Sequence, residues 1–261
     1  MDRVRNMSWS RGATLLRSEQ FGYDLAGMIT NVTRETGERR VYAYDSIDRL
    51  VSEEHYDATN GLAFRAAYEY DLAGNRTRTV LNGVTNTYTL GTGDRLASWG
   101  TNSENTVTYD NAGNVTSYAR PGRALMEFEW DLQYRLKTVA VGGTPVERYE
   151  YDVTGRRIAT IRGTNTVRHL YEGMHVVADT DAAGNLLRSY TWGPGIDKLL
   201  SVTVYGPGGT NTYQALTDHL GTVHALVTPG GTVVERYEYD AWGNVLGVFD
   251  GNGGSLPSSV L

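Results

Sequence analysis

The sequence has no cysteine. That excludes disulfide staples, thiolate metal sites and a thiol nucleophile. Proline is scarce, at 6 of 261 residues, so the chain is neither collagen-like nor a proline-rich spacer. Lysine is nearly missing: Lys137 and Lys198 are the only two, and the other cationic side chains are arginines. Arginine brings a planar donor fork and a flat face for stacking. No run approaches the ~18 apolar residues of a membrane-spanning helix. No 3.6-residue apolar stripe persists, and Gly, Thr and Asn recur every few residues, which excludes an extensive helical fold. The first twenty residues carry Arg3, Arg5, Arg11 and Arg17 without an apolar core and do not read as a secretory signal. A formal net charge of −6 argues against a nucleic-acid surface or an anionic-membrane surface.

What is abundant points to β structure. Glycine supplies 31 residues and tyrosine 18, against 4 Phe and 5 Trp. A phenol suits a half-wet sheet face, because its ring is apolar and its tip is polar. With 40% hydrophobic and 21% charged residues the chain has the means to bury a core.

A repeat organises these residues. Tyr-Asp pairs stand at Tyr23-Asp24, Tyr44-Asp45, Tyr70-Asp71, Tyr109-Asp110, Tyr151-Asp152 and Tyr239-Asp240, with Trp130-Asp131 as a variant. Leu90-Gly91 and Tyr171-Glu172 occupy the expected places as degenerate copies. The period is about twenty residues, with one longer insertion near 58–64. An aromatic often precedes the Tyr by two positions, as at Phe21, Tyr42, Tyr68, Phe128, Tyr149 and Tyr237. That spacing puts both rings on one face of a strand. The Asp is followed by two variable residues and then Gly, as at Gly74, Gly113, Gly155 and Gly243. Asp accepts backbone N–H groups two or more residues on, and Gly takes positive φ, so a type I turn with a bulge is predicted. Each unit therefore reads as strand, tight turn, strand and a looser return. The repeated arginines Arg49, Arg76, Arg95, Arg135 and Arg156 are placed to pair with the Asp or stack on a Tyr.

These motifs resemble the YD-repeat, or RHS-repeat, family, whose consensus is Tyr-Asp, two variable residues, Gly, and Arg or Asn. The likeness covers essentially the whole chain. Leu216-Thr-Asp218-His219-Leu220-Gly221-Thr-Val223, followed by Val234 through Asn244, is similar to the start of the RHS-associated core. The Tyr190–Asp197 stretch fits the same block. The resemblance implies an all-β fold of about ten hairpins in one curved, spiralling antiparallel sheet, a partial or closed shell. It implies one array over 1–261, with repeat units over 1–200 and the start of the core block at 201–261. It also implies a use, enclosing a toxin or other cargo domain of a secreted or cell-surface parent protein. Adhesion and carbohydrate binding are the family's other attributed roles. The family's Asp-Pro cleavage signal has no match here, since none of the six prolines follows an aspartate. Both ends read as cuts through a longer array, for Asp2-Arg3-Val4 is the second half of a unit without its Tyr-Asp.

Size limits a lone chain. About 20 strands at ~4.8 Å spacing close into a ring roughly 30 Å across, too narrow for a folded toxin. An open form would leave sheet edges free for edge-to-edge self-association.

Chemistry is sparse. His55, His169, His175, His219 and His224 form no metal-ligand pattern, and no metal or other cofactor is expected. Glu53-Glu54, Glu127/Glu129 and Glu147/Glu150 are carboxylate pairs by adjacency only. No catalytic residue is assigned, so the chain is read as a non-enzyme. An enzyme acting on a polysaccharide or ester is the remaining alternative. Trp99, Trp192 and Trp242 fall at or beside turns and are candidates to stack on a glycan.

Overall fold

The computed structural model describes residues 3–195 and 197–261. Asp2 of the amino-terminal half-unit and Ile196 of the Tyr190–Asp197 stretch lie outside the described residues. Among the described residues there are 23 strands and no helix. The strands are short, from five residues at Leu96–Gly100 to ten at Thr14–Tyr23. All the pairings described below are antiparallel, between strands adjacent in the chain. The all-β hairpin array is therefore the architecture.

The chain divides into two compact units. One comprises Tyr23–Asn31 and Gly37–Thr166. Its strands pair in unbroken succession from Arg39–Tyr44 to Arg157–Arg162. A register shift of one residue recurs just before the aromatic of each Tyr-Asp turn, at Ala43/Tyr44, Glu69/Tyr70, Thr108/Tyr109, Glu129/Trp130 and Glu150/Tyr151. The extra residue lies in the strand that leaves the turn, as Val51 opposite Ala43/Tyr44 and Thr77 opposite Glu69/Tyr70, and a bulge of this kind adds local twist at each hairpin. Burial in this unit is thin and centred on one face, where Glu53, Ala66, Tyr68 and Thr79 are enclosed.

The other unit comprises the amino-terminal residues up to Gly22, Val32–Thr36 and Val167–Leu261. Its strands pair in succession from Asn165–Glu172 to Val245–Phe249. Here the sheet is buried on both faces. Val202, Leu226 and Tyr237 pack on one side, joined by Tyr190, Tyr213 and Val260. Leu216, Ala225 and Val227 pack on the other, covered by Trp9 and Leu16 of the amino-terminal hairpin. Two-sided burial explains the unbroken apolar run Ala225-Leu226-Val227, where a one-sided strand would alternate. Across this unit Arg34 bonds Glu238 at 2.6 Å, and within the strand Thr14–Tyr23 Arg17 bonds Glu19 at 2.5 Å. Phe21 meets the edge of His219 at 5.2 Å.

Candidate functional site

The feature that recurs through both units is the Tyr-Asp turn. At Asp45, Asp71, Asp110, Asp131, Asp152 and Asp240 the backbone N–H bonds the carbonyl four residues on, at 2.9–3.0 Å. The Asp carboxylate accepts the N–H of that same fourth residue at 2.8–3.0 Å. The third residue after the Asp is left-handed: Gly74 has φ 90°, Gly113 94°, Gly155 89° and Gly243 83°. Asp48 and Tyr134 hold the same place with φ of 64° and 61°. These donors keep the carboxyls below the usual carboxylate range, through the backbone N–H of Arg49 for Asp45 and of Arg135 for Asp131. For Asp71 and Asp110 the asparagine side chain four residues on leads.

The aromatic of the pair acts between hairpins. The Tyr44 hydroxyl donates to the Ile29 carbonyl, Tyr70 to Leu50, Tyr109 to Leu96, Tyr151 to Leu136 and Tyr239 to Val223, at 2.7–2.9 Å. Trp130 replaces the hydroxyl with its indole N–H and reaches Val115 at 2.7 Å. Each acceptor belongs to the strand that follows the preceding turn, so each ring ties its own unit to the one before. Burial raises the Tyr44 hydroxyl to about 12 and pushes Tyr70 and Tyr239 upward. Arginine ties the units in the forward direction. Arg49 pairs with Asp45 at 2.7 Å, bonds the Asp71 carbonyl at 2.9 Å and lies 4.8 Å over the Tyr70 ring. Arg135 repeats this with Asp131, Asp152 and Tyr151 at 2.7, 3.2 and 4.8 Å. Arg156 pairs with Asp152, and Arg95 lies 5.7 Å from the Tyr109 ring. Arg76 lies 5.7 Å from the Tyr68 ring and 5.5 Å from Tyr88.

The earlier aromatic of each unit has a different task. Tyr68 donates to Glu53, Tyr149 to Glu147, Tyr190 to Asp179 and Tyr237 to Glu235. The carboxylates that the sequence sets side by side are thereby engaged separately. Glu53 is fully buried and also bonds His55 at 2.7 Å. Glu54 pairs with Arg65 and Tyr56, Glu127 accepts the Gly143 N–H, and Glu147 pairs with Arg162. His169 bonds Asp179 at 2.7 Å, and His224 lies 3.2 Å from Asp218. Among the described residues no group of three or more His, Asp or Glu is placed to hold a metal ion. Trp192 occupies the Tyr position of its hairpin, donates to the Val176 carbonyl at 2.7 Å and stacks on His175 at 5.0 Å. Trp99 stacks on Tyr118 at 4.9 Å. Trp242 is the most open of the three, at a turn whose Asp240 accepts its backbone N–H.

Sequence reasoning passed over one full pair and several turns. Tyr56-Asp57 closes the same turn inside what reads as an insertion, with Asn60 left-handed at φ 67°. Asp181, Asp218 and Asp250 build it too, and Thr228 does so with a hydroxyl. The signal available was Asp or Thr followed three residues later by Gly or Asn, irrespective of the twenty-residue spacing.

A family model described as the teneurin YD-shell matches residues 1–252. The chain belongs to the YD-shell family. Relatives from bacilli carry the name WapA. The tRNA3(Ser)-specific nuclease WapA of Bacillus spizizenii is 32% identical over 207 residues, covering 77% of this chain and 8% of that protein. The tRNA nuclease WapA of Bacillus subtilis is 31% identical over the same length. The double-stranded DNA deaminase toxin A of Burkholderia cenocepacia is 26% identical, covering 86% of this YD-shell chain and 17% of that protein. Among solved structures, the Tc holotoxin pore of Photorhabdus luminescens aligns over 92% of the chain and 17% of its own, at 15% identity and a TM-score of 0.44. The YD-shell chain thus spans 8% of the length of the WapA relatives.

Proposed function

We propose that this YD-shell chain is a wall segment, which together with further repeats of its parent protein encloses a toxin or other cargo domain. The observation that carries the reading is the bond from Tyr44, Tyr70, Tyr109, Trp130, Tyr151, Trp192 and Tyr239 to the preceding hairpin. Polar side chains that a catalytic site would need free are spent on joining one unit to the next. An array joined this way extends by adding units, since each contacts mainly its neighbours. Membership of the YD-shell family and toxin or nuclease names among the relatives support the same reading. In it, the chain is not itself an enzyme, and any nuclease or deaminase chemistry belongs elsewhere in the parent.

The test is made on the parent protein. Its cargo region should resist protease while the repeats are intact and become sensitive when Tyr44, Tyr70 and Tyr151 are all changed to Phe. Cargo equally sensitive in both forms, with the repeats still folded, would sink the proposal. Glycan binding through Trp99, Trp192 or Trp242 remains the second reading. It rests on the exposure of Trp242 and predicts glycan affinity lost in Trp242→Ala.

A further inference from the structure

The two edges of the array differ in what their turns present. In the unit built from Tyr23–Asn31 and Gly37–Thr166, strands alternate direction, so alternate turns fall on opposite edges. The Tyr-Asp turns at Asp45, Asp71, Asp110, Asp131 and Asp152 lie on one edge, and the return turns, with the Tyr56-Asp57 turn among them, lie on the other. On the Tyr-Asp edge, Leu25, Leu72, Leu132 and Val153 each directly follow the Asp and are 100–107% exposed. Ile47 sits one place later in its turn and is 65% exposed. The return turns carry small or polar residues in their place, such as Asn82-Gly83, Gly142-Gly143 and Gly163-Thr164. Neither the turn hydrogen bonds nor the Tyr and Arg contacts use these aliphatic side chains. A repeated, fully exposed aliphatic on one edge alone marks an interaction surface.

We infer that this rim is a protein-docking surface whose occupant is the same rim of a second copy of the chain. Three observations favour it. Successive Tyr-Asp turns are two strands apart, so the tips stand at steps of about 10 Å. A two-fold axis can set one such row into the gaps of an identical row. The five side chains offer about 100 Å² of apolar surface each. They supply on the order of 500 Å², most of the ~800 Å² that each partner gives a stable interface. A lipid surface fits less well, because an aspartate adjoins nearly every tip and the chain carries a net charge of −6.

The test is the mass of the purified 261-residue chain by light scattering and sedimentation equilibrium over a range of concentrations. The inference expects a dimer that persists or tightens in high salt. Changing Leu72, Leu132 and Val153 together to Ser should weaken it by roughly 100-fold or more, a loss typical of removing several central apolar anchors. A control with Leu62→Ser and Val84→Ser, near the opposite edge and 53% and 58% exposed, should stay dimeric. Both variants should keep the parental circular dichroism, since the altered side chains are exposed. A chain monomeric at all concentrations would overturn the inference, as would a triple variant that dimerises normally or a control that dissociates equally. Tip-dependent flotation with phosphatidylcholine vesicles would overturn it in favour of a lipid surface.

Discussion

The Tyr151 hydroxyl donates to the Leu136 carbonyl at 2.7 Å, and Arg135, one residue before that carbonyl, lies 4.8 Å over the Tyr151 ring. One phenol is therefore held from two sides by the preceding unit. Its edge contact is directional and its face contact is electrostatic. The pairing sets how one hairpin sits against the last, and the same geometry recurs at Tyr70 with Leu50 and Arg49.

Removing only the hydroxyl tests the directional half. Tyr151→Phe leaves the Leu136 carbonyl without its phenol donor and should destabilise the chain by about 1–2 kcal/mol in urea unfolding. Tyr151→Trp should cost less, because Trp130 and Trp192 already fill this role with an indole N–H. If Phe and Trp cost the same, the bond contributes nothing.

The turn carboxylate can be separated from its charge. Asp131 accepts the backbone N–H groups of Gln133 and Arg135 and pairs with the Arg135 guanidinium. Asp131→Asn keeps an acceptor and loses the ion pair, whereas Asp131→Ala loses both. Thermal melting should show a smaller loss of stability for Asn than for Ala, because a neutral acceptor still serves the turn N–H groups. Equal losses would assign the effect to charge.

Tyr134 occupies the left-handed position that glycine fills in neighbouring turns, with φ 61° and a largely exposed side chain. A bulky residue pays about 1–2 kcal/mol for that conformation. Tyr134→Gly should therefore raise stability by roughly 0.5 kcal/mol, after the larger unfolded-state entropy of glycine is subtracted. Gly155→Ala, at φ 89°, should lower stability by about 1 kcal/mol. A melting series containing both variants checks the pair, and shifts of the same sign would refute the account.

Alkali should release the tyrosine contacts. Burial raises the Tyr44 hydroxyl to about 12, and burial with its bond to Glu147 does the same for Tyr149. Unfolded tyrosine ionises near 10. A raised folded value means the stabilisation is complete below about pH 10 and is lost as pH climbs toward 12. Phenolate absorbance should rise together with loss of β circular dichroism in that window. Ionisation complete near pH 10 with the fold intact would contradict it.

Acid acts on the other partner. Asp45, Asp71, Asp110 and Asp131 have folded carboxyls held below their ordinary value of about 3.9. Their contribution is full above that pH and disappears as pH falls beneath it. Melting temperature should be flat from pH 7 to 5 and drop steeply below 4. Replacing Asp71 and Asp110 by Asn should flatten the drop.

The local half of this protein is legible in its residues. Asp followed three places later by Gly dictates a bulged turn, because one offers an acceptor and the other tolerates positive φ. Alternating apolar residues around such turns dictate hairpins. Asp57 and Thr228 show that the code reaches beyond the tyrosine pairs, since the turn needs only an acceptor and a residue able to go left-handed.

The rest belongs to tertiary structure. Nothing in the order of residues pairs Tyr151 with Leu136, because that bond depends on how adjacent strands register after each bulge. Glu53 reads as half of an exposed carboxylate pair, yet it is buried, because the neighbouring strand brings Tyr68 to it and His55, two residues on in its own strand, closes on the same carboxylate. Phe21 meets His219, and Arg34 meets Glu238, across some 200 residues of chain. Turn chemistry is settled within five residues by backbone angles and local acceptors. Contacts of that span join residues from opposite ends of the sequence, which no single unit encodes.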